Sequence, residues 1–336
     1  MELRYFRQRR VKQSLWLELC NPPVNFITVD ILVELHTLIK AADNDDSIRV
    51  LVLTGGIEGR YIFHFSIDEI EKVIRDVKAL HLGFVSRFWL TAPFIRMATV
   101  LTLGLMKRFP GFEKTVLTLS GRIRDKLPAL FIMLQMLATY DAIERSRKIT
   151  IAAINGSCNG AGTEMAACFD FRFMVEDGGF TIGQPEVLLG IIPGGGGTQR
   201  VSRLIGKAKA LELILTCDQW SPNRAVQLGL LTACYPRADF VDAVQSFADR
   251  ISKRSAIATF EARRVIHRGL ELSLSRGLAE ELTSTLQCCD NAATGAAVAE
   301  YGVLLDEMIF AKPDDPAGID EIADRLESAL QASQLG

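Results

Sequence analysis

None of the seven cysteines falls in a C-x-x-C pair, and their number is odd. The sequence therefore carries neither a disulfide framework nor a zinc site of paired thiolates, and free thiols in a reducing compartment are expected. Histidine is scarce as well. Of the four, His36, His64, His81 and His267, none stands at metal-ligand spacing from another or from a cysteine pair, so no metal is expected. The net charge is only −2, from 38 basic and 40 acidic side chains, and it makes no electrostatic case for nucleic acid. The first residues, MELRYFRQRRVKQ, place charges where a secretory signal needs an apolar core, so a cytoplasmic location is expected. A spanning helix needs about 20 apolar residues, whereas the stretch Met97–Met106, between Arg96 and Lys107, has ten. Internal repeats and long low-complexity tracts are missing. So is a complete G-x-G-x-x-G, which disfavours a dinucleotide site.

What remains is an ordinary globular composition, 49% hydrophobic and 23% charged over 336 residues, long enough for one large domain or two ordinary ones. Residues 11–20 partly alternate and stop at Asn21-Pro22-Pro23, which reads as a strand ending in a turn. Ile31, Leu32, Leu35, Leu38 and Ile39 then give a helix, and Val50–Leu53 a short buried strand. The alternation returns with a strand at Ile149–Ile154, a turn at Gly160-Ala161-Gly162, a helix from about Thr163 and a strand near Phe171–Val175. This order implies an α/β class. Helices follow near Thr198–Ile205 and Lys207–Thr216, and beyond residue 240 the pattern is helical throughout. Ile257, Phe260, Val265, Leu270, Leu274, Leu282 and Leu286 recur there at roughly helical intervals. The tail from Lys312 to Gly336 is expected to end in an amphipathic helix.

Residues 75–147 differ from both halves. The segment is rich in Leu, Phe and Met and reads as helices; from Arg75 to Lys148 it holds thirteen basic residues against five acidic, a local +8 that leaves −10 for the rest. Arg87, Arg96, Lys107 and Arg108 interrupt its apolar stretches. A helical lid or an oligomer contact would account for it, and so would a surface for an anionic membrane or an acidic carrier protein.

The chemistry concentrates after residue 148. Ala153 to Glu164 runs from a buried strand through a glycine-rich turn into a helix start, where unpaired backbone N–H groups favour an anion. A second piece, Gly183-Gln184-Pro185-Glu186 followed by Pro193-Gly194-Gly195-Gly196-Gly197-Thr198-Gln199-Arg200, joins it. Together with Asn155-Gly156 and Glu164, this block from Lys148 to about Pro236 closely resembles the central signature of the enoyl-CoA hydratase/isomerase (crotonase) superfamily. Asn21–Asn25, Val50–Gly55 and Tyr61–Ile70 resemble its N-terminal portion, so the resemblance covers about 260 of the 336 residues.

The resemblance implies an α/β fold, a crotonase-like spiral of β-β-α turns. Residues 1–254 would form its core, interrupted by the basic helical insertion at about 75–147. Residues 255–310 would be C-terminal helices assembling a homotrimer or hexamer, and 311–336 a tail. The implied activity is hydration of a 2-enoyl thioester, or the reverse dehydration, without a separate cofactor: coenzyme A or a carrier protein would arrive as part of the substrate. Isomerase or thioester hydrolase activity, or a catalytically silent acyl- or membrane-binding protein, are the alternatives. Glu164 and Glu186 would be the acid/base pair, the amides of Phe65 and Ala161 the oxyanion hole, and the amide of Gly194 a holder of the water. Two departures stand out. Bulky His64 occupies a place where many relatives have glycine, which implies a reshaped substrate pocket, an imidazole added near the thioester, or a packed loop residue. Gly59 and Pro23 replace lysines near the coenzyme A phosphates, leaving the adjacent Arg60 as a substitute, with an acyl carrier protein as the alternative donor.

Overall fold

The computed structural model describes residues 3–81 and 91–311, together with Arg325. Two compact units divide the chain, residues 1–245 and 246–336.

In the first unit, strands β1 (Phe6–Val11) and β2 (Ser14–Leu19) form a hairpin through Lys12, which sits at φ 50°. The strand expected at 11–20 corresponds to β2, and β1 lies before it. β1 lacks an apolar alternation because its four middle residues, Arg7, Gln8, Arg9 and Arg10, are all exposed. Helix α1 (Val29–Asp43) is capped by the Thr28 hydroxyl, which accepts the Ile31 amide, and buries the apolar stripe read from the sequence. Strand β3 (Val50–Gly55) is buried along its whole length, as expected of a continuous apolar run covered on both faces. Helices α2 (Ile67–Ala79), α3 (Thr91–Arg108), α4 (Pro110–Arg122) and α5 (Pro128–Glu144) follow.

After them come β4 (Ile149–Ile154), β5 (Cys158–Asn159), α6 (Ala161–Ala166), β6 (Phe171–Val175), β7 (Ile182–Gly183) and a 3₁₀ turn at Glu186–Leu189. Helix α7 (Gly197–Leu215), β8 (Gln219–Trp220), α8 (Pro222–Gln227), β9 (Ala233–Tyr235) and α9 (Phe240–Ser252) complete this stretch. Gly206, at φ 78° and ψ 160°, divides α7 where the sequence predicted two helices.

The strands form two sheets, β1-β2-β3-β4-β6-β9, parallel apart from β1, and β5-β7-β8. Two successive turns of the chain, β4-β5-α6 and β6-β7-α7, each give one strand to each sheet and then a helix. Leu17 pairs with Leu53 and Leu53 with Ala152, so fully buried positions line up across the larger sheet.

The basic segment 75–147 does not behave as one body. α5 is buried against α1 and α2, with Phe131, Ile132, Tyr140 and Ile143 in the core. Its first thirteen residues carry no charge, and a helix apolar on all sides belongs inside a protein. α3 and α4 are the exposed part: Phe94, Met97, Val100 and Leu101 of α3 face outward beside Arg96, while Lys107 pairs with Asp141 at 3.1 Å. Arg87 lies outside the described residues. No described helix is long and apolar enough to cross a membrane.

The second unit begins within α9 and continues with α10 (Ala256–Gly269), α11 (Leu274–Cys289) and α12 (Ala292–Ala311). α10 and α11 pack on each other and are tied by Arg264, which bonds Glu261, Glu280 and Ser284. Leu274, Leu278, Leu282 and Leu286 form an exposed ridge at four-residue spacing along α11. The helix expected to end the tail from Lys312 to Gly336 lies outside the described residues apart from Arg325.

Candidate active site

Glycines make the site by letting backbone come close. Gly160, at φ 54°, precedes α6 in a conformation that L side chains rarely adopt. A Cβ at Gly162 would stand 2.3 Å from the Ile62 carbonyl, so only glycine admits the 61–65 loop against α6. The Thr163 hydroxyl, bonded to the carbonyls of Cys158 (2.9 Å) and Gly183 (2.8 Å), fixes the helix to the smaller sheet. In the facing loop, Ile27 donates to the His64 carbonyl (2.9 Å) and accepts from the Ser66 amide (2.7 Å). Backbone groups alternate in direction along such an extended stretch, so the Phe65 amide points the other way. Among the described residues neither the Phe65 nor the Ala161 amide has a hydrogen-bond partner, and both residues line the same cavity.

That cavity, of about 230 Å³, is apolar along most of its wall, with Ile70, Val73 and Ile74 from α2 and Ile132, Met133 and Met136 from α5. Glu164 and Glu186 occupy its polar end. Glu164 is 3% exposed, and its Oε1 accepts the amides of Gly195 (2.8 Å) and Gly197 (2.9 Å). Burial pushes its proton affinity up, while the two amides and the Arg200 charge oppose that rise. Glu186, 4% exposed, opens the 3₁₀ turn. Burial and then the nearby charge of Glu164 push its carboxyl from 4.5 to about 7. With its amide turned to face Glu186, Gln184 donates to both carboxylate oxygens at 3.0 Å.

Around the pair lies a brace. Arg200 grips Glu144 with two bonds of 2.6 and 2.8 Å, donates to the Gly195 carbonyl at 2.8 Å, and lies 5.9 Å from the Tyr140 ring centre. The Tyr140 hydroxyl donates to the Ala161 carbonyl at 3.2 Å. A Cβ at Gly195 would come within 2.7 Å of Tyr140 and 2.9 Å of Glu164 Oε2, so the glycine run is shaped by what it surrounds.

The structure thus brings Phe65, His64, Ala161, Glu164, Glu186 and Gly194 to one cavity. Arg60 is exposed and does not line it; bridges to Ile57 and Ser157 hold its backbone at the rim of the sheets. The amides that hold Glu164 are those of Gly195 and Gly197, and Gly194 lines the cavity beside them. Sequence reasoning missed Gln184, Tyr140 and the Arg200–Glu144 pair, although Gln184 and Arg200 both stand inside the quoted motifs. Among the described residues no cluster of three His, Cys, Asp or Glu side chains is placed to hold a metal ion. A separate polar cleft of about 280 Å³, lined by Lys72, Arg75 and Arg124 among others, does not include the two glutamates.

A family model described as enoyl-CoA hydratase/isomerase matches residues 124–301. The chain is 40% identical over 144 residues to a probable enoyl-CoA hydratase of Mycobacterium bovis, covering 43% of this chain and 55% of that protein. It is 45% identical over 105 residues to the alpha subunit of a fatty acid oxidation complex from Vibrio vulnificus, covering 31% of this chain and 15% of that one. The chain therefore spans about half or less of the length of these curated relatives. An enoyl-CoA hydratase structure from Bacillus anthracis superposes with a TM-score of 0.68 at 22% identity, over 89% of this chain and 96% of that one. The fold is accordingly the crotonase-like spiral. With more than half of its length matched by the family model, the chain belongs to the enoyl-CoA hydratase/isomerase family.

Proposed function

We propose that the protein adds water across the double bond of a 2-enoyl thioester, or removes it in reverse, with an apolar acyl group in the Ile/Met-lined cavity. The observation that carries this reading is a pair of buried carboxylates in unlike environments at the end of a cavity that also presents two unpartnered amides. Burial raises the proton affinity of Glu164, but the two amides and Arg200 favour its anion against that rise, as they do for no other carboxylate of the cavity, and it suits the general base that takes a proton from water. Among the described residues no cation acts on Glu186, which feels the charge of Glu164, so it retains a proton near neutral pH and suits the acid that protonates C2. Negative charge on the thioester oxygen would be met by the amides of Phe65 and Ala161. Coenzyme A and an acyl carrier protein are both suitable carriers, since Arg60 stands outside the cavity. The exposed leucine ridge of α11 fits burial between copies in a trimer or hexamer. The outward apolar and basic face of α3 fits an anionic membrane surface or an acidic carrier.

The test is loss of conjugated absorbance on a panel of enoyl-CoA and enoyl-carrier thioesters. Glu164→Gln and Glu186→Gln should each lower turnover about 10²- to 10⁴-fold, as for removal of a positioned acid or base. Wild-type hydration by either variant would refute the two-carboxylate mechanism. Double-bond migration without hydration, surviving only in Glu186→Gln, would replace it by an isomerase.

A further inference from the structure

His64 is the third titratable side chain in the cavity, and hydration has no use for it. Its Nδ1 lies 2.9 Å from the Phe65 carbonyl oxygen. A carbonyl only accepts, so Nδ1 carries the proton, and in the neutral ring Nε2 is left with a bare lone pair. A Cβ placed on Gly160 would be 2.9 Å from His64 Nε2 and 3.1 Å from Glu186 Oε1, so the imidazole edge sits directly against the residue preceding Ala161. His64 is likewise the residue preceding Phe65. The basic nitrogen therefore stands against the residue that precedes one unpartnered amide, on a ring held by the residue that carries the other, in the cavity that both amides line. Among the described residues Nε2 has no hydrogen-bond partner, and the half-buried ring lines the cavity, so water or substrate is left to satisfy it. The loop is not loose: the Ile27 bridge holds it, and Phe63 packs edge-on to Phe26 with ring centres 6.1 Å apart.

A base held in one tautomer by a carbonyl, in a cavity that also holds two unpartnered N–H donors, supplies the groups acyl transfer requires. We propose that this cavity also hydrolyses acyl thioesters, with His64 Nε2 as the general base for a water that attacks the thioester carbonyl carbon. His64 takes one proton as the water oxygen bonds to C1, and the carbonyl electrons move to an oxyanion held by Phe65 and Ala161. When the intermediate collapses, the C–S bond breaks and its electron pair leaves with sulfur. The imidazolium returns its proton to the thiolate. One water and one thioester become one carboxylic acid and one thiol, with no oxidant or co-reactant. The substrates are thioesters of apolar acyl groups, saturated ones included, because this step makes no use of the double bond. The inference rests on the reading that the two amides receive a thioester oxygen.

Saturated acyl-CoA provides the clean probe, since it cannot be hydrated and any free coenzyme A, followed by chromatography, reports hydrolysis alone. The wild type should release thiol from it. His64→Asn keeps a side-chain N–H for the Phe65 carbonyl but has nothing at the Nε2 position. It should lower the turnover number for release about 10²- to 10⁴-fold, while hydration of an enoyl-CoA falls by less than about tenfold, so that the ratio of the two activities collapses. Absence of thiol release from the wild type would overturn the proposal. So would release unaffected by His64→Asn, or equal loss of both activities in a folded variant, which would make His64 a packing residue. His64-dependent release from a protein that hydrates no enoyl thioester would sink the hydratase reading and leave this one standing.

Discussion

Replacing Glu186 by Gln should stabilise the protein at pH 8 and leave its stability unchanged at low pH. In the folded chain, burial and the Glu164 charge raise this carboxyl from 4.5 to about 7. The folded state thus keeps a proton that the unfolded state releases between these two values. Where the folded state binds more protons, stability falls as pH rises. The penalty is absent below about pH 4.5, grows through the window, and is complete above about pH 7. A rise from 4.5 to about 7 corresponds to on the order of 3 kcal/mol. That figure is an upper end, because the two bonds from Gln184 favour the ionised form and offset part of it. Glutamine cannot ionise, so its stability should not change across the same window on this account, and Gln184 can rotate to offer its oxygen to the new amide.

Urea unfolding of wild type and variant at pH 5, 6, 7 and 8, followed by fluorescence from the buried Trp16 and Trp220, measures the difference directly. All other titrating groups are common to both proteins, apart from the coupling to Glu164. The midpoint of the variant should move ahead of the wild type as pH rises, at constant slope, even as its hydration activity is lost. Parallel midpoint curves would show that Glu186 ionises in the folded state as readily as in the unfolded one, and the assignment of Glu186 as the acid would go with them.

Glu164→Gln removes the charge that helps hold a proton on Glu186, so the limb of the pH–rate profile belonging to Glu186 should shift to lower pH in whatever activity survives; an unmoved limb would mean the two carboxylates do not sense each other. Gly195→Ala puts a methyl against Tyr140 and Glu164, and should cost about 1–3 kcal/mol together with much of the turnover, read by unfolding and by kinetics on the same preparation. Light scattering should give a trimer or a multiple of it, and changing Leu274, Leu278, Leu282 and Leu286 together to Gln should shrink the assembly, whereas a monodisperse wild-type monomer at micromolar concentration would contradict the assembly. Co-sedimentation with anionic vesicles should weaken from about 50 to 500 mM salt as screening shortens, and again when Arg96 and Arg108 become Gln; equal binding to neutral vesicles would remove the electrostatic argument.

Parts of the fold could be read directly because each residue carried its own message. Val50–Gly55 and Ile149–Ile154 are short apolar runs bounded by turn residues, and burial on both faces is the one environment such a strand tolerates. The division of α7 at Gly206 was legible for a similar reason: a glycine inside a helical pattern marks the place where the backbone leaves it. α5 was legible too, yet a charge count across residues 75–147 hid it. Much of the basic excess near its C-terminal end comes from Arg145, Arg147 and Lys148, which follow the helix, while the helix itself is apolar all round.

The site was legible only as far as side chains define it. Glu164 and Glu186 stand in motifs whose resemblance to a family is specific, and nothing in hydrophobic periodicity would have found either. What makes them differ is written in groups without identity: the amides of Gly195 and Gly197 hold Glu164 and would do so from any residue able to adopt that path. The path itself is selected by steric exclusion, since a Cβ at Gly195 meets Tyr140 and one at Gly196 overlaps Arg200. Arg200 in turn reaches back 56 residues to Glu144, a separation no local pattern encodes. The quoted Pro193-to-Arg200 motif is therefore a description of packing around one carboxylate. His64 shows the converse, because its chemistry depends on which nitrogen holds the proton, and that is decided by the carbonyl of the next residue rather than by anything in the one-letter code.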